Sequence, residues 1–119
     1  MKTSVFLLFV LVFSSLNAQK GVIMTNTKAF KHLIADGNDQ ILDVRTKKEF
    51  AKGHIKGALN IDYWNPKFLD LVKSDFDKSI PLLVYCAGGG RSAMASERLK
   101  KKGYKLIYDL EGGYEAYTE

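Results

Sequence analysis

Between Pro81 and Ser92 the chain reads PLLVYCAGGGRS, and this stretch decides the architecture. Pro81 opens the run Leu82-Leu83-Val84-Tyr85, apolar throughout, as expected of a central parallel strand covered on both faces. Cys86 follows at the carboxyl end of that strand. Ala87, Gly88, Gly89, Gly90 and Arg91 then lead into a helix running from Ser92 to Lys102, with Gly103 as its C′ residue. Three consecutive glycines let the backbone curl tightly and aim successive N–H groups into one concavity. The N-terminus of the Ser92 helix adds its partial positive charge there, and Arg91 closes the loop with a cation. Each of these features favours thiolate over thiol at Cys86. The same N–H groups suit an oxyanion, or a sulfur that gains negative charge during transfer. The plainer alternative is a packed cysteine acting as a small hydrophobe. Such a residue has no use for three glycines after it, and this loop costs entropy to order.

Outward from that stretch, Leu106-Ile107-Tyr108 reads as the last strand, and Gly112-Gly113 leads into a short terminal helix. Toward the N-terminus, Lys67 to Phe76 carries Phe68, Leu71 and Val72 at helical spacing, and Ala58 to Ile61 reads as a short strand. Thr46 followed by Glu49 is a capping box that opens a short helix, closed by Gly53. Ile41 to Val44 reads as a buried strand, preceded by a turn at Gly37-Asn38-Asp39. Thr25 or Thr27 caps a helix through Ala35 with Phe30, Leu33 and Ile34 on one face, and Val22-Ile23-Met24 makes an edge strand. Strands alternating with helices predict an α/β domain: a mainly parallel central sheet of about five strands flanked by helices. Ligands on such sheets sit at the carboxyl ends of strands, where Cys86 stands.

Composition narrows the function classes. The 119 residues carry 18 Lys+Arg against 13 Asp+Glu, with 46% hydrophobic residues. This length fits one domain, large enough to build a core without disulfides or a structural metal. One cysteine excludes an intramolecular bridge, and one cysteine with two histidines is too little for a zinc site, so no metal is expected. Lys100-Lys101-Lys102 falls in the last turn of the Ser92 helix, where cations complement the dipole. Without an accompanying aromatic or arginine cluster it is a solvated helix end, and no nucleic-acid partner is expected.

The N-terminus has its own character. Lys2 is followed by VFLLFVLVF from Val5 to Phe13 and then by SSLNAQ, the order of a secretory signal peptide. The uncharged stretch Thr3 to Gln19, weakened by Ser14, Ser15 and Asn17, falls short of the ~20 apolar residues of a spanning helix. Cleavage after Ala18 divides the chain into a signal peptide, residues 1–18, and a domain, residues 19–119. The expectation is an exported protein, periplasmic or secreted, with a membrane association only if that segment is retained.

Two segments carry a resemblance. LDVRTKKEFAKGHIKGALNID (Leu42 to Asp62) and VYCAGGGRSAMASERLKKKGYKLIYDLEGGYEAY (Val84 to Tyr117) resemble the two signatures of the rhodanese family, single-domain sulfurtransferases. They stand in the family's order and separation. The resemblance implies a rhodanese-like fold and a ping-pong sulfur transfer that uses no metal or organic cofactor. Cys86 would be the catalytic nucleophile: it would attack the sulfane sulfur of a donor such as thiosulfate or a persulfide and hold it as a cysteine persulfide. The sulfur would then pass to a thiol or to cyanide. The implied partners are therefore a small-molecule sulfur donor and a thiol acceptor, a protein thiol among the candidates.

The resemblance also assigns sites. N–H groups of Ala87, Gly88, Gly89, Gly90, Arg91 and Ser92 would bind the transferred sulfur, and Arg91 would brace the loop. Asp43 and Arg45 match the family's Asp-x-Arg, which braces loops near the active site, and His54 matches a structural turn. Four residues separate Cys86 from Arg91, whereas related phosphatases and arsenate reductases carry one more. The tighter loop fits a single sulfur atom. Ala87 and Gly88 depart from the polar or basic residues usual at those positions, which removes side chains that attract a doubly charged donor. Tyr117 stands where the family often has tryptophan. The weak polar content of the loop keeps an alternative open, a non-catalytic rhodanese-like module that binds a partner or senses redox state. His32 is expected at the surface, and Tyr63 and Trp64 are expected to cap the core rather than wall the site.

Overall fold

Strand and helix alternate from Gly21 to Tyr117 in a computed structural model that describes residues 20–119. The signal peptide expected over residues 1–18 lies outside the described residues. In chain order the elements are β1 (Gly21–Thr25), α1 (Thr27–Ala35), β2 (Ile41–Asp43), α2 (Lys47–Lys52), β3 (Leu59–Asn60), α3 (Phe68–Asp75), β4 (Leu82–Tyr85), α4 (Gly90–Lys101), β5 (Leu106–Leu110) and α5 (Gly113–Tyr117). The five strands pair in parallel in the order β1-β5-β4-β2-β3, so β4 is central.

Side chains alternate across a strand, and β4 shows what that does here. Leu82, Val84 and then Cys86 enter one core with Phe68 and Val72 of α3 and Ala95 and Leu99 of α4. Leu83 and Tyr85 enter the other, with Phe30 of α1, and Phe50 of α2 and Tyr114 of α5 pack against it. Every residue of β4 is buried, as an apolar run covered on both faces requires. Burying each of its leucine and valine side chains stabilises the fold by roughly 1.5–3 kcal/mol.

Local details differ from the sequence expectations. The cap of α1 is Asn26, whose side chain accepts from the Ala29 N–H at 2.9 Å, and neither Thr25 nor Thr27 fills that place. Thr25 instead ends β1 and is buried. On α3, Phe68 and Val72 are buried, but Leu71 faces outward. Helix α4 begins at Gly90, two residues before Ser92, and β5 continues past Tyr108 to Leu110. Tyr63 belongs to the core, whereas Trp64 is 63% exposed and touches that core through an edge-on contact with the Tyr63 ring. The Thr46–Glu49 capping box and the stop at Gly53 are as expected.

Candidate active site

Cys86 continues the alternation of β4 and is buried against the α3–α4 layer, 1% exposed. The Gly89 N–H donates to its Sγ at 3.0 Å. The thiol in turn donates to Ser92 Oγ at 3.5 Å, and the Ser92 hydroxyl donates to the Gly89 carbonyl at 3.1 Å. Three hydrogen bonds thus close a ring that ties the sulfur to the loop and to the first turn of α4.

One glycine, not three, makes the turn. Gly89 has φ of 116°, a conformation that side-chain-bearing residues rarely adopt. Gly88 and Gly90 have no positive φ, and a Cβ at Gly90 would meet nothing within 4 Å. At Gly88 a Cβ would stand at ordinary contact distance, 3.7 Å, from the Glu115 carboxylate.

The first helical bond of α4 runs from the Ala93 N–H to the Gly89 carbonyl at 3.1 Å. Gly90, Arg91 and Ser92 therefore present first-turn N–H groups that have no intrahelical acceptor. Among the described residues, the N–H groups of Ala87 and Gly88 donate to no backbone carbonyl either. Of the six loop residues expected to hold the sulfur, Gly89 does so through its N–H and Ser92 through its hydroxyl. The other amides remain donors for an arriving group.

Arg91 is not a free cation. Its Nη1 and Nη2 donate to the two Glu49 carboxylate oxygens at 2.7 and 3.0 Å. Glu49 is held in place from its own helix, because Oε1 also accepts from the Thr46 N–H at 3.1 Å and the Thr46 hydroxyl at 3.0 Å. The bonds from Arg91 pull the Glu49 carboxyl down to about 2, against the smaller opposing effect of burial. The capping box was legible in the sequence; its second task, anchoring the cysteine loop through Arg91, was not.

Asp43 and Arg45 lie on the opposite face of the sheet from Cys86. Arg45 Nη2 donates to Asp43 at 2.7 Å and to the Gly53 carbonyl at 2.7 Å. Its guanidinium also stacks over the Tyr114 ring, 4.4 Å from the centroid. One buried cation therefore joins the end of α2, the helix carrying Glu49, to α5.

Helix α5 reaches the loop directly. The Tyr114 N–H donates to the Cys86 carbonyl at 2.8 Å, and the Glu115 N–H to the Ala87 carbonyl at 3.1 Å. A Cβ at Gly113 would collide with the backbone of Cys86 and Ala87, so the close approach requires glycine there. The Gly112-Gly113 pair is the sequence signal for this docking. His54 lies in the turn after α2, its Nδ1 2.9 Å from the Phe50 carbonyl and its ring stacked on Phe50, and His32 is exposed. Three surface cavities of about 310, 350 and 420 Å³ have none of the loop residues in their walls.

Comparison with known proteins places the fold. The family described as "Rhodanese-like domain" matches residues 26–119. Thiosulfate sulfurtransferase 16 of Arabidopsis thaliana, a chloroplastic protein, is 40% identical over 87 residues, covering 66% of this chain and 72% of the plant protein. Thiosulfate sulfurtransferase 18 of the same organism is 34% identical over 117 residues, covering 89% of this chain and 85% of its own. Other plant relatives are longer, and the matched region spans 52% of each. Among solved structures, a rhodanese-like domain protein from Staphylococcus aureus superposes with a TM-score of 0.69 at 34% identity, covering 79% of this chain and 89% of that one.

Proposed function

The chain belongs to the rhodanese-like domain family, and from that premise we propose that it moves a sulfane sulfur through a persulfide on Cys86. The observation that carries the reading is the sulfur itself. It stands at the end of the central strand, with the Gly89 N–H 3.0 Å away and the unpartnered first-turn amides of α4 following in the same loop.

The Cys86 thiolate attacks the outer sulfur of the donor, forming a sulfur–sulfur bond. The bond from that sulfur to the rest of the donor breaks, and its electron pair leaves with the donor remnant. An acceptor thiolate then attacks the terminal sulfur of the persulfide, and the pair of the broken bond returns to Cys86. Throughout, negative charge is stabilised by backbone N–H groups and the α4 dipole, which need no reorganisation as charge develops.

Charge at the loop favours one class of donor. Arg91 is neutralised by Glu49, and Ala87 and Gly88 bring no charge of their own. A doubly charged donor such as thiosulfate therefore meets no free loop cation, whereas a low-molecular-weight persulfide needs none. Incubating the protein with glutathione persulfide and, separately, with thiosulfate should add the mass of one sulfur atom to Cys86, faster with the persulfide. Absence of the adduct with every donor, on folded protein with an intact thiol, would falsify the enzymatic reading.

The burial of Cys86 favours the partner-binding form of the second reading, a non-catalytic module, because a thiol that senses oxidant has to be accessible to it. That reading predicts a thiol that resists mild oxidant and shows no persulfide turnover, whereas a sensor would give a sulfenic acid or mixed disulfide. Export belongs to the proposal as well, carried by the apolar run Val5 to Phe13. Mature protein beginning at Gln19 in an extracytoplasmic fraction is the expected result.

A further inference from the structure

Asp109 is a buried carboxyl for which neither core nor loop gives a use. It lies in β5, in register with Val84 of β4, and is 1% exposed. Ile107 enters the α3–α4 core and Tyr108 packs against the opposite one, so Asp109 returns to the face that Cys86 occupies. Cys86 lies two residues beyond Val84 on that face. Above both strands runs the buried side of α4, with Ser92 and, one turn on, Ser96.

Neither Asp109 oxygen has a hydrogen-bond partner, and neither does Ser96 Oγ. Among the described residues these are the buried side-chain oxygens or nitrogens left unpaired. Leaving a carboxyl in that condition costs several kcal/mol as an anion, so a purely structural site would hold an apolar residue. Burial pushes the carboxyl up to about 6, and the neighbouring Ser92 side chain offsets part of that rise. Its register partners on the flanking strands are uncharged, Met24 of β1 and Val84 of β4. Cys86 is therefore the titratable group of this face that shares Ser92 with it, and no charged side chain is among the causes of the shift.

We infer that Asp109 is a positioning residue that holds the proton of the Cys86 thiol, exchanged through the Ser92 hydroxyl. The inference rests on Cys86 being the reactive sulfur. In the structure the thiol donates to Ser92 Oγ, and the Ser92 hydrogen lies toward Gly89. A hydroxyl hydrogen turns about its C–O bond without heavy-atom motion, so the same oxygen can offer it to Asp109. The S–H bond of Cys86 then breaks as an O–H bond forms on Ser92, and the former Ser92 hydrogen passes to Asp109. The thiol and carboxylate become a thiolate and a carboxylic acid, with one proton moved and the total charge unchanged. In that state Asp109 donates to Ser92, and Ser92 donates to the sulfur anion, thiolate or persulfide. Returning the proton restores the resting thiol.

Alkylation of Cys86 by iodoacetamide, followed from acid to neutral pH on the full chain, tests this without any sulfur donor. The wild-type rate should show an inflection near pH 6, the value to which burial brings Asp109. Asp109→Asn, which cannot take a proton, should lose the inflection, and Ser92→Ala should lose it while keeping Asp109. A uniform change of rate with the inflection retained in either variant overturns the inference. If Asp109→Asn does not fold, carbon-13 NMR of the aspartate carboxyls decides on wild-type protein. Capping Cys86 as its methyl disulfide should shift the Asp109 midpoint, and an unmoved midpoint overturns the relay. A protein that accepts no persulfide leaves both measurements intact, so failure of the sulfur-transfer reading is separately visible.

Discussion

Arg91 and Glu49, forty-two residues apart in sequence, are joined by two near-parallel hydrogen bonds of 2.7 and 3.0 Å. The pair ties the first turn of α4 to the first turn of α2, and so fixes the loop between β4 and α4 from outside. Bidentate guanidinium–carboxylate pairs are the stronger and more directional kind of ion pair. With Glu49 partly exposed, water screens part of the attraction, and the pair is worth more as geometry than as stability.

Glu49→Gln should therefore loosen the loop more than the fold. Persulfide transfer is expected to slow by about tenfold, equivalent to losing one charge-assisted contact. The thermal midpoint should move by only a few degrees. The wild-type pair also sets an acid limit. A carboxyl held down to about 2 contributes stability present above its unfolded value of 4.5, and loses it as pH falls toward 2. Acid unfolding of wild type and Glu49→Gln should diverge above that window and converge below it.

Gly113→Ala and Gly90→Ala make a matched pair. A Cβ at Gly113 meets the backbone of Cys86 and Ala87, at a φ of 61°. The Tyr114 and Glu115 hydrogen bonds to the loop cannot then form as they stand. A loss of about 3 kcal/mol or more is expected, with activity lost in the surviving fold. At Gly90 the added methyl meets nothing, and α4 should gain about 0.4–1 kcal/mol. Chemical denaturation of both proteins checks the contrast.

Asp43→Ala should be among the more damaging substitutions away from the loop. Asp43 is fully buried and accepts from the Arg45 N–H and guanidinium, so its loss leaves a buried cation unpaired. The expected cost is about 3–5 kcal/mol. Because Arg45 also holds the Gly53 carbonyl and the Tyr114 ring, transfer activity should fall further than the surviving folded fraction accounts for. Arg45→Lys should also lower activity, since an ammonium cannot make the same fork to Asp43 and the Gly53 carbonyl. Activity normalised to folded protein measures both.

Asp109→Asn should stabilise the protein at neutral pH. The folded carboxyl sits at about 6 against an unfolded value of 3.8, so the folded state binds the proton more tightly. Wild-type stability consequently falls as pH rises through that interval, by up to about 3 kcal/mol at 1.36 kcal/mol per unit. The variant escapes that loss. Its thermal midpoint should exceed wild type above about pH 6 and match it below about pH 4. A more stable protein with altered thiol chemistry is what a group retained for function predicts.

Much of this molecule is legible in the sequence alone. The apolar run Leu82 to Tyr85, the capping box at Thr46 and Glu49, and the glycines at 53, 103 and 112–113 place strands, helix ends and turns by local chemistry alone. Leu71 and Asn26 show where such reasoning slips. Helical spacing marks a face that is apolar, not how much of it a neighbour covers, and several polar residues near Thr27 can serve as a cap.

What the sequence by itself determined is the alternation of elements, the position of one thiol after the central strand, and the need for a tight loop there. Each depends on interactions between residues close in the chain. The tertiary structure decided which glycine makes the turn, that Arg91 is engaged by Glu49, and that α5 donates to the loop backbone. It also decided that Asp109 is buried on the Cys86 face of the sheet without a hydrogen-bond partner. These contacts join segments far apart in sequence, so they exist only once the sheet has set strand order and face. The stretch from Pro81 to Ser92 thus supplied the sulfur, and the packing of α2, α5 and β5 around it supplied its environment.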